Sequence, residues 1–161
     1  MGAAKTESAT KALRANEEKW GKPLMDAGWT AMPSVIIEHQ RALGLDAIDV
    51  NILMHLAMYW WKAENLPRPA KTTIAEALQI HPRTVQRRIA SLEKAGLIQR
   101  HQRRTNAGSR PNLYDFTGLI REATPFAQQK IQKRAKQREE QAKTAAQRGR
   151  PKLVIDNEEG T

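Results

Sequence analysis

The sequence predicts a mainly α protein that carries one small β-hairpin. Two observations lead there. Val85, Ile89 and Leu92 recur at i, i+4 and i+7, and Ile48, Ile52 and Leu56 recur at i, i+4 and i+8, spacings that place each set on one face of a helix. Leu97 to Arg104 alternates like a strand, Asn106-Ala107-Gly108-Ser109 reads as a turn, and Asn112 to Phe116 supplies a return strand. The chain divides into an N-terminal extension over 1–28, a folded domain over 29–123, a polar helix over 124–147 and a flexible tail over 148–161.

In the extension, Lys5 to Trp20 suits a polar helix that Gly21-Lys22-Pro23 breaks, and order is expected only in part before Trp29. Met32-Pro33-Ser34 then leads into Val35-Ile36-Ile37, which either pairs beside the hairpin or opens a helix reaching Leu43. Asp46 is placed to cap a scaffold helix running to Trp61, with Ile48, Ile52, Leu56 and Tyr59 or Trp60 as its buried stripe and Leu53 and Ala57 broadening it. Adjacent helical residues point about 100° apart, so of Trp60 and Trp61 one enters the core and the other covers an edge or a subunit contact. Packing, rather than ligand stacking, is the expected use of both.

Leu66-Pro67-Arg68-Pro69-Ala70 reads as an extended link into a pair of short helices. The first has Thr72 as its expected cap and Ile74, Ala75 and Leu78 as its apolar face, with the small Ala75 permitting a close helix crossing. Pro82 suits the first position of the second helix, where a backbone N–H lacks a partner anyway, and Ala95-Gly96 ends that helix. Opposite its buried stripe lie Arg83, Arg87 and Lys94, flanked by Thr84 and Gln86. Arginine donates two hydrogen bonds to guanine O6 and N7, and glutamine pairs bidentately with adenine N6 and N7. Arg83, Thr84, Gln86 and Arg87 are therefore the expected base readers, with Thr84 suited to a phosphate or a thymine methyl.

A helix-turn-helix followed by a two-stranded basic hairpin is a winged helix. Arg103, Arg104 and Arg110 fall near the wing tip, and with Arg68, Lys71, Lys94 and Arg100 they are the expected contacts to phosphates or a minor groove. For Arg68 and Lys71 a solvated surface is the competing reading.

Several phrases resemble the winged helix-turn-helix domain of bacterial, plasmid and phage transcription regulators and replication proteins: Met32-Pro33-Ser34, the Asp46 to Trp61 segment, Ile74-Ala75, Arg83-Thr84-Val85-Gln86-Arg87, Leu92-Glu93-Lys94-Ala95-Gly96-Leu97-Ile98, Asn112-Leu113-Tyr114 and Thr117-Gly118-Leu119. The resemblance spans Trp29 to Ala123 and implies binding to duplex DNA. Many relatives carry glycine where this chain has Gln79; a left-handed backbone there costs about 1 kcal/mol.

Charge agrees with that expectation. Of the net +10, residues 67–110 carry +8 and residues 111–155 carry +6, against −1 before them and −3 after, so the positive field sits on the reading head and the segment behind it. A membrane surface competes for such a field, but neither a long apolar segment nor a strongly amphipathic apolar face accompanies it. Absence of cysteine excludes disulfides and thiolate metal sites, and Met1 to Trp20 lacks the apolar core of a secretory signal, so a cytoplasmic, nucleoid-associated protein is expected.

Beyond Thr124-Pro125, taken as a helix start, the chain is rich in Gln, Lys, Arg and Ala, with Phe126, Ile131 and Ala135 as a narrow contact stripe. A dimer-supporting helix, a partner-docking helix and a basic arm are the readings of that segment. Arg148-Gly149-Arg150-Pro151 is an AT-hook-like core in which Arg148 and Arg150 would enter a minor groove; a solvated tail is the alternative. His39, His55, His81 and His101 are scattered, and no phosphate loop or nucleophile elbow is present, so neither catalysis nor a metal or cofactor is expected. The expected function is sequence-specific DNA binding by a homodimeric transcription regulator. A replication or partition accessory protein and a protein-interaction adaptor are the alternatives.

Overall fold

A computed structural model describes residues 2–105 and 108–148. The chain runs α1 (Gly2–Trp20), α2 (Lys22–Ala27), α3 (Ser34–Glu38), α4 (Ala47–Ala57), α5 (Lys71–Leu78), α6 (Pro82–Lys94), β1 (Gln99–Thr105), β2 (Gly108–Asp115) and α7 (Thr117–Arg148). It is mainly helical with one antiparallel hairpin, β1 pairing β2. The core joins Ile52, Leu53 and Leu56 of α4, Ile74 and Ala75 of α5, Val85, Ile89 and Leu92 of α6, and Tyr114, Phe116 and Leu119 behind the hairpin. This is the winged helix-turn-helix arrangement expected from the patterning.

Gly21, at φ 82°, separates α1 from α2, where the sequence marks a break. Between the two open readings of Val35 to Ile37 the structure takes the helical one: α3 buries Ile36, and turns occupy the stretch from His39 to Gly44.

Asp46 caps α4 as expected, and it does so reciprocally. Its carboxylate accepts from Asp49 N at 2.9 Å while Asp46 N donates to Asp49 Oδ2 at 3.1 Å, satisfying two otherwise orphaned donors. The helix, however, ends at Ala57 rather than at Trp61. Its buried arc is also rotated from the expected stripe: Asp49 and Val50 are covered, whereas Ile48 is 36% exposed, because the face turned to α6 is centred near Leu53. Past the helix end, Trp60 lies parallel to Phe116 with ring centroids 5.2 Å apart, and Trp61 is 75% exposed. One tryptophan packs and its neighbour does not, but both lie beyond the helix, so the 100° step between helical residues is not the cause.

Thr72 is not a cap: the cap position falls two residues earlier, at Ala70, without a capping side chain. Gln79 closes α5 at φ 51°, ψ 42°, in the left-handed region, and the tight turn that follows lets Ile80 N donate to Ala75 O at 3.0 Å. Pro82 starts α6 and Gly96, at φ 72°, follows its end.

The long C-terminal helix begins at Thr117, not at Thr124, and runs through Pro125. Asp115 Oδ1 accepts from Thr117 N at 2.7 Å and from its hydroxyl, supplying the N-terminal cap. Pro125 removes one backbone bond, yet Leu119 and Ala123 are buried on the core side and the Thr124 hydroxyl donates to Ile120 O at 2.6 Å, so the turn before the proline is held in place. Of the stripe expected farther on, Phe126 stacks on His39 at 4.5 Å, but Ile131 is 66% exposed. Lys130, paired with Glu38, completes the contact between α7 and α3.

Candidate nucleic-acid interface

The outer face of α6 is built from its ends inward. His81 Nδ1 accepts from Arg83 N at 3.1 Å and Thr84 N donates to His81 O at 2.8 Å, so the first turn is capped while Arg83 projects from it. With Val85, Ile89 and Leu92 fully inside, Arg83, Gln86 and Arg87 are exposed and Thr84 is half-buried. The four expected base readers therefore share the first turns of one helix. Lys94 is exposed too, but it sits at the opposite end, about 16 Å along the axis from Arg83. There it complements the negative end of the helix dipole.

The hairpin stands beside this face, positioned by three backbone relations. Tyr114 N donates to Pro67 O at 3.0 Å, fastening β2 to the extended link before α5. Leu119 N donates to Leu97 O at 2.7 Å, fastening α7 to the residues leading into β1. That approach is so close that a Cβ on Gly118 would lie 1.9 Å from Gly96 O. Tyr114 is buried whole, and burial pushes its phenol up.

Between α5, α6 and the hairpin lies a groove of about 580 Å³. Lys71, Arg100, Arg103 and Arg110 line it together with the amides of Gln86, Gln102 and Asn112, and among the described residues the lining includes no carboxylate. Arg103 and Arg110 are direct cross-strand partners. Two like charges placed opposite each other oppose hairpin formation, a cost that an anion between them removes. Lys71 Nζ donates to Gln86 Oε1 at 3.1 Å, linking the start of α5 to the reading face.

Arg100 stands apart from the other cations. Its Nε donates to Glu93 Oε2 at 2.7 Å, its Nη2 also meets that oxygen, and its backbone N reaches Glu93 Oε1 at 3.2 Å. The guanidinium holds the Glu93 carboxyl below the usual carboxylate range. Arg68 is exposed on the link. Arg104 lies in β1 and Arg148 ends α7, but their side chains, like Asn106, Ala107 and the whole of Arg150, lie outside the described residues.

Arg88 escaped the sequence reading. It lies about 60° from Val85 on the helical wheel, beside the buried stripe, and its Nη1 stands 2.6 Å from Asp46 Oδ2 and 3.6 Å from Asp49 Oδ1. Helix α6 is thereby tied to the cap of α4. The backbone N–H of Asp49 holds the Asp46 carboxyl below the usual range, while burial pushes that of Asp49 up. The available signal was a cation at the edge of an apolar stripe facing a helix whose first turn carries two acids. Gln102 and Asn112 were also overlooked, having no charge to mark them.

A helix-turn-helix with an exposed basic face and a cationic hairpin beside it defines a winged-helix protein. The model of the DnaD N-terminal domain matches residues 32–136, so the chain belongs to that family. The crystal structure of the N-terminal domain of DnaD protein from Geobacillus kaustophilus HTA426 is similar over 71% of this chain and 93% of that one, at 16% identity and a TM-score of 0.50. A possible transcriptional regulator from Methanosarcina mazei Go1 aligns over 66% of this chain and 85% of its own, at 20% identity and a TM-score of 0.40. No curated protein sequence matches the chain. Among the described residues, no helix is long and apolar enough to cross a membrane and no group of three His, Asp or Glu side chains is placed to hold a metal ion.

Proposed function

We propose that this protein binds duplex DNA sequence-specifically, with the first turns of α6 in the major groove and the hairpin on the adjoining backbone. The observation that carries the reading is the pairing of Arg103 with Arg110 on the hairpin side of a groove that Lys71 also lines, with Arg83 and Arg87 exposed on α6. A phosphate chain passing through that groove neutralises cations that otherwise repel one another, while α6 beside it meets base edges. Family membership supports use in replication, where the head marks origin DNA, ahead of use at promoters. The same surface serves a transcription regulator, and the two uses differ in where the bound sites lie.

Selection of bound sequences from random and genomic duplex DNA, followed by titration at several salt concentrations, tests this. An enriched motif and an affinity that falls steeply with salt are expected. Iterated sites at an origin support the replication use, and single sites overlapping promoters support regulation. Two-fold related half-sites would support the expected homodimer, since operator symmetry mirrors protein symmetry. No enriched sequence at any salt concentration sinks the specific-binding reading and leaves the adaptor reading, in which the fold serves protein contacts.

A further inference from the structure

Beyond Lys130, which meets Glu38, α7 runs clear of the core, and residues 131–146 are exposed throughout. A helix that is polar all round is held by many i,i+4 ion pairs or by what it touches. Among the described residues of this stretch such a pair joins only Lys143 to Glu139, at 2.7 Å. Ile131, Arg134, Arg138, Ala142 and Ala145 fall within about 80° of one another on the helical wheel, and neither Glu139 nor Glu140 lies among them. Arg134 and Arg138 make no ion pair among the described residues. The face they share is small-chained and apolar towards its C-terminal end and cationic before it.

The sequence after Arg148 carries the complement of that face in reverse order. Leu153-Val154-Ile155 is apolar, and Asp156, Glu158 and Glu159 are acidic. Gly149 and Pro151 suit a reversal of the chain behind a helix. A strand running back advances about 3.3 Å per residue against about 1.5 Å for the helix, so each of its residues passes about 2.2 helix positions. Starting with Lys152 level with Arg148, Val154 reaches the gap between Ala142 and Ala145. Asp156 and Glu158 then come level with Arg138 and Arg134, each to within about one helix position. Alternation along a strand puts Val154, Asp156 and Glu158 on one side of it. Apolar therefore meets apolar and each acid meets a cation.

We propose that this face of α7 is the docking surface for the chain's own C-terminal segment, residues 153–159, which neutralises Arg134 and Arg138 and screens them from the DNA backbone. The pull of α7 on any polyanion is thereby restrained until the segment is displaced, and the choice of sequence is left to α6. Docking stands on charge and reach; the screening role rests on the DNA-binding reading above.

The chain contains no cysteine, so introduced pairs report the contact in the full chain. Val154→Cys combined with Ala142→Cys is expected to form a disulfide within one chain about tenfold faster than Val154→Cys combined with Lys143→Cys, a position of similar height on the other side of the helix. That advantage is expected to shrink as salt rises, and in an Arg134→Gln, Arg138→Gln background. Equal rates for the two pairs, or disulfides that join two chains, overturn the docking. Removal of residues 153–161 is expected to raise affinity for a random-sequence duplex about tenfold at low salt and to steepen the salt slope by about two, one for each arginine released. Unchanged affinity and slope overturn the screening role. A chain that binds no DNA with or without the segment overturns the DNA-binding reading, and the disulfide rates still decide the docking.

Discussion

The Glu93 carboxylate on the last turn of α6 receives Arg100 Nε at 2.7 Å and Arg100 N at 3.2 Å, so the end of the reading helix and the first residues of the wing move as one piece. A charged side chain that composition alone assigns to phosphate is here spent on architecture. The pair is about a quarter to a third exposed, which limits its stabilisation to about 1 kcal/mol. The Arg100 guanidinium lowers the Glu93 carboxyl from its ordinary value, which sets the direction of the pH effect. A carboxylate whose folded pKa is depressed contributes fully above its unfolded pKa and loses that contribution as pH falls through the folded one. Urea unfolding of the unaltered chain and of Glu93→Gln is therefore expected to differ by about 1 kcal/mol at pH 7, with the gap closing below about pH 4.3. A gap that stays constant down to pH 3 contradicts the assignment.

The reading helix was legible because its signals are local. Val85, Ile89 and Leu92, Pro82 before them and Gly96 after them each act within one or two turns, and each takes the expected place. What escaped depends on partners distant in sequence. Asp49 reads as a solvated acid at a helix start until Arg88, on another helix, is brought beside it. The start of α7 was misplaced because Thr124-Pro125 satisfies every local rule for a helix start, while the real one depends on Asp115 closing the hairpin against Thr117. Among the expected site residues, Lys71, Gln86, Arg100, Arg103 and Arg110 line one groove and Arg83 and Arg87 are exposed on the helix that bears Gln86, but nothing in the one-dimensional pattern marks Arg100, three residues before Arg103, as paired with an acid.

Among the described glycines compared, Gly118 carries the sharpest steric constraint. Its identity is required by a close approach rather than by a special backbone angle, since an added Cβ would stand 1.9 Å from Gly96 O and 3.0 Å from Leu97 O, backbone atoms that cannot rotate away. Gly118→Ala is expected to cost about 3 kcal/mol, the upper end for overpacking, by pushing α7 off the residues that lead into the wing. Chemical denaturation measures it, and a loss under about 1 kcal/mol would show that the first turn of α7 is not seated as described.

Gln79 offers the opposite case, a site where the chain carries removable strain. Its φ of 51° places a side chain in the left-handed region, and that side chain is exposed, so exchange to glycine gives up no buried contact. Relief of about 1 kcal/mol is expected, diminished by the extra freedom glycine brings to the unfolded chain. Thermal and urea midpoints of Gln79→Gly should both rise. A fall in either argues that Gln79 makes a contact in solution that offsets its backbone cost.

Replacing Arg87 and Arg110 in turn tests whether base reading and backbone anchoring are separate. Arg87 lies on the α6 face opposite Val85, exposed to whatever enters between helix and solvent, whereas Arg110 lies across from Arg103 on the wing. If α6 occupies the major groove, Arg87→Ala loses a bidentate contact, costing about 1–3 kcal/mol on the preferred site and relaxing choice at one base pair. Arg110→Ala removes one phosphate contact and also relieves the repulsion with Arg103. The unliganded wing is then expected to gain stability even as affinity falls nearly evenly across sequences and the salt slope drops by about one. Competition binding against matched and mismatched duplexes, at two salt concentrations, distinguishes the two. Equal losses on every sequence from both variants would take Arg87 off the base edges and make it, like Arg110, a backbone contact.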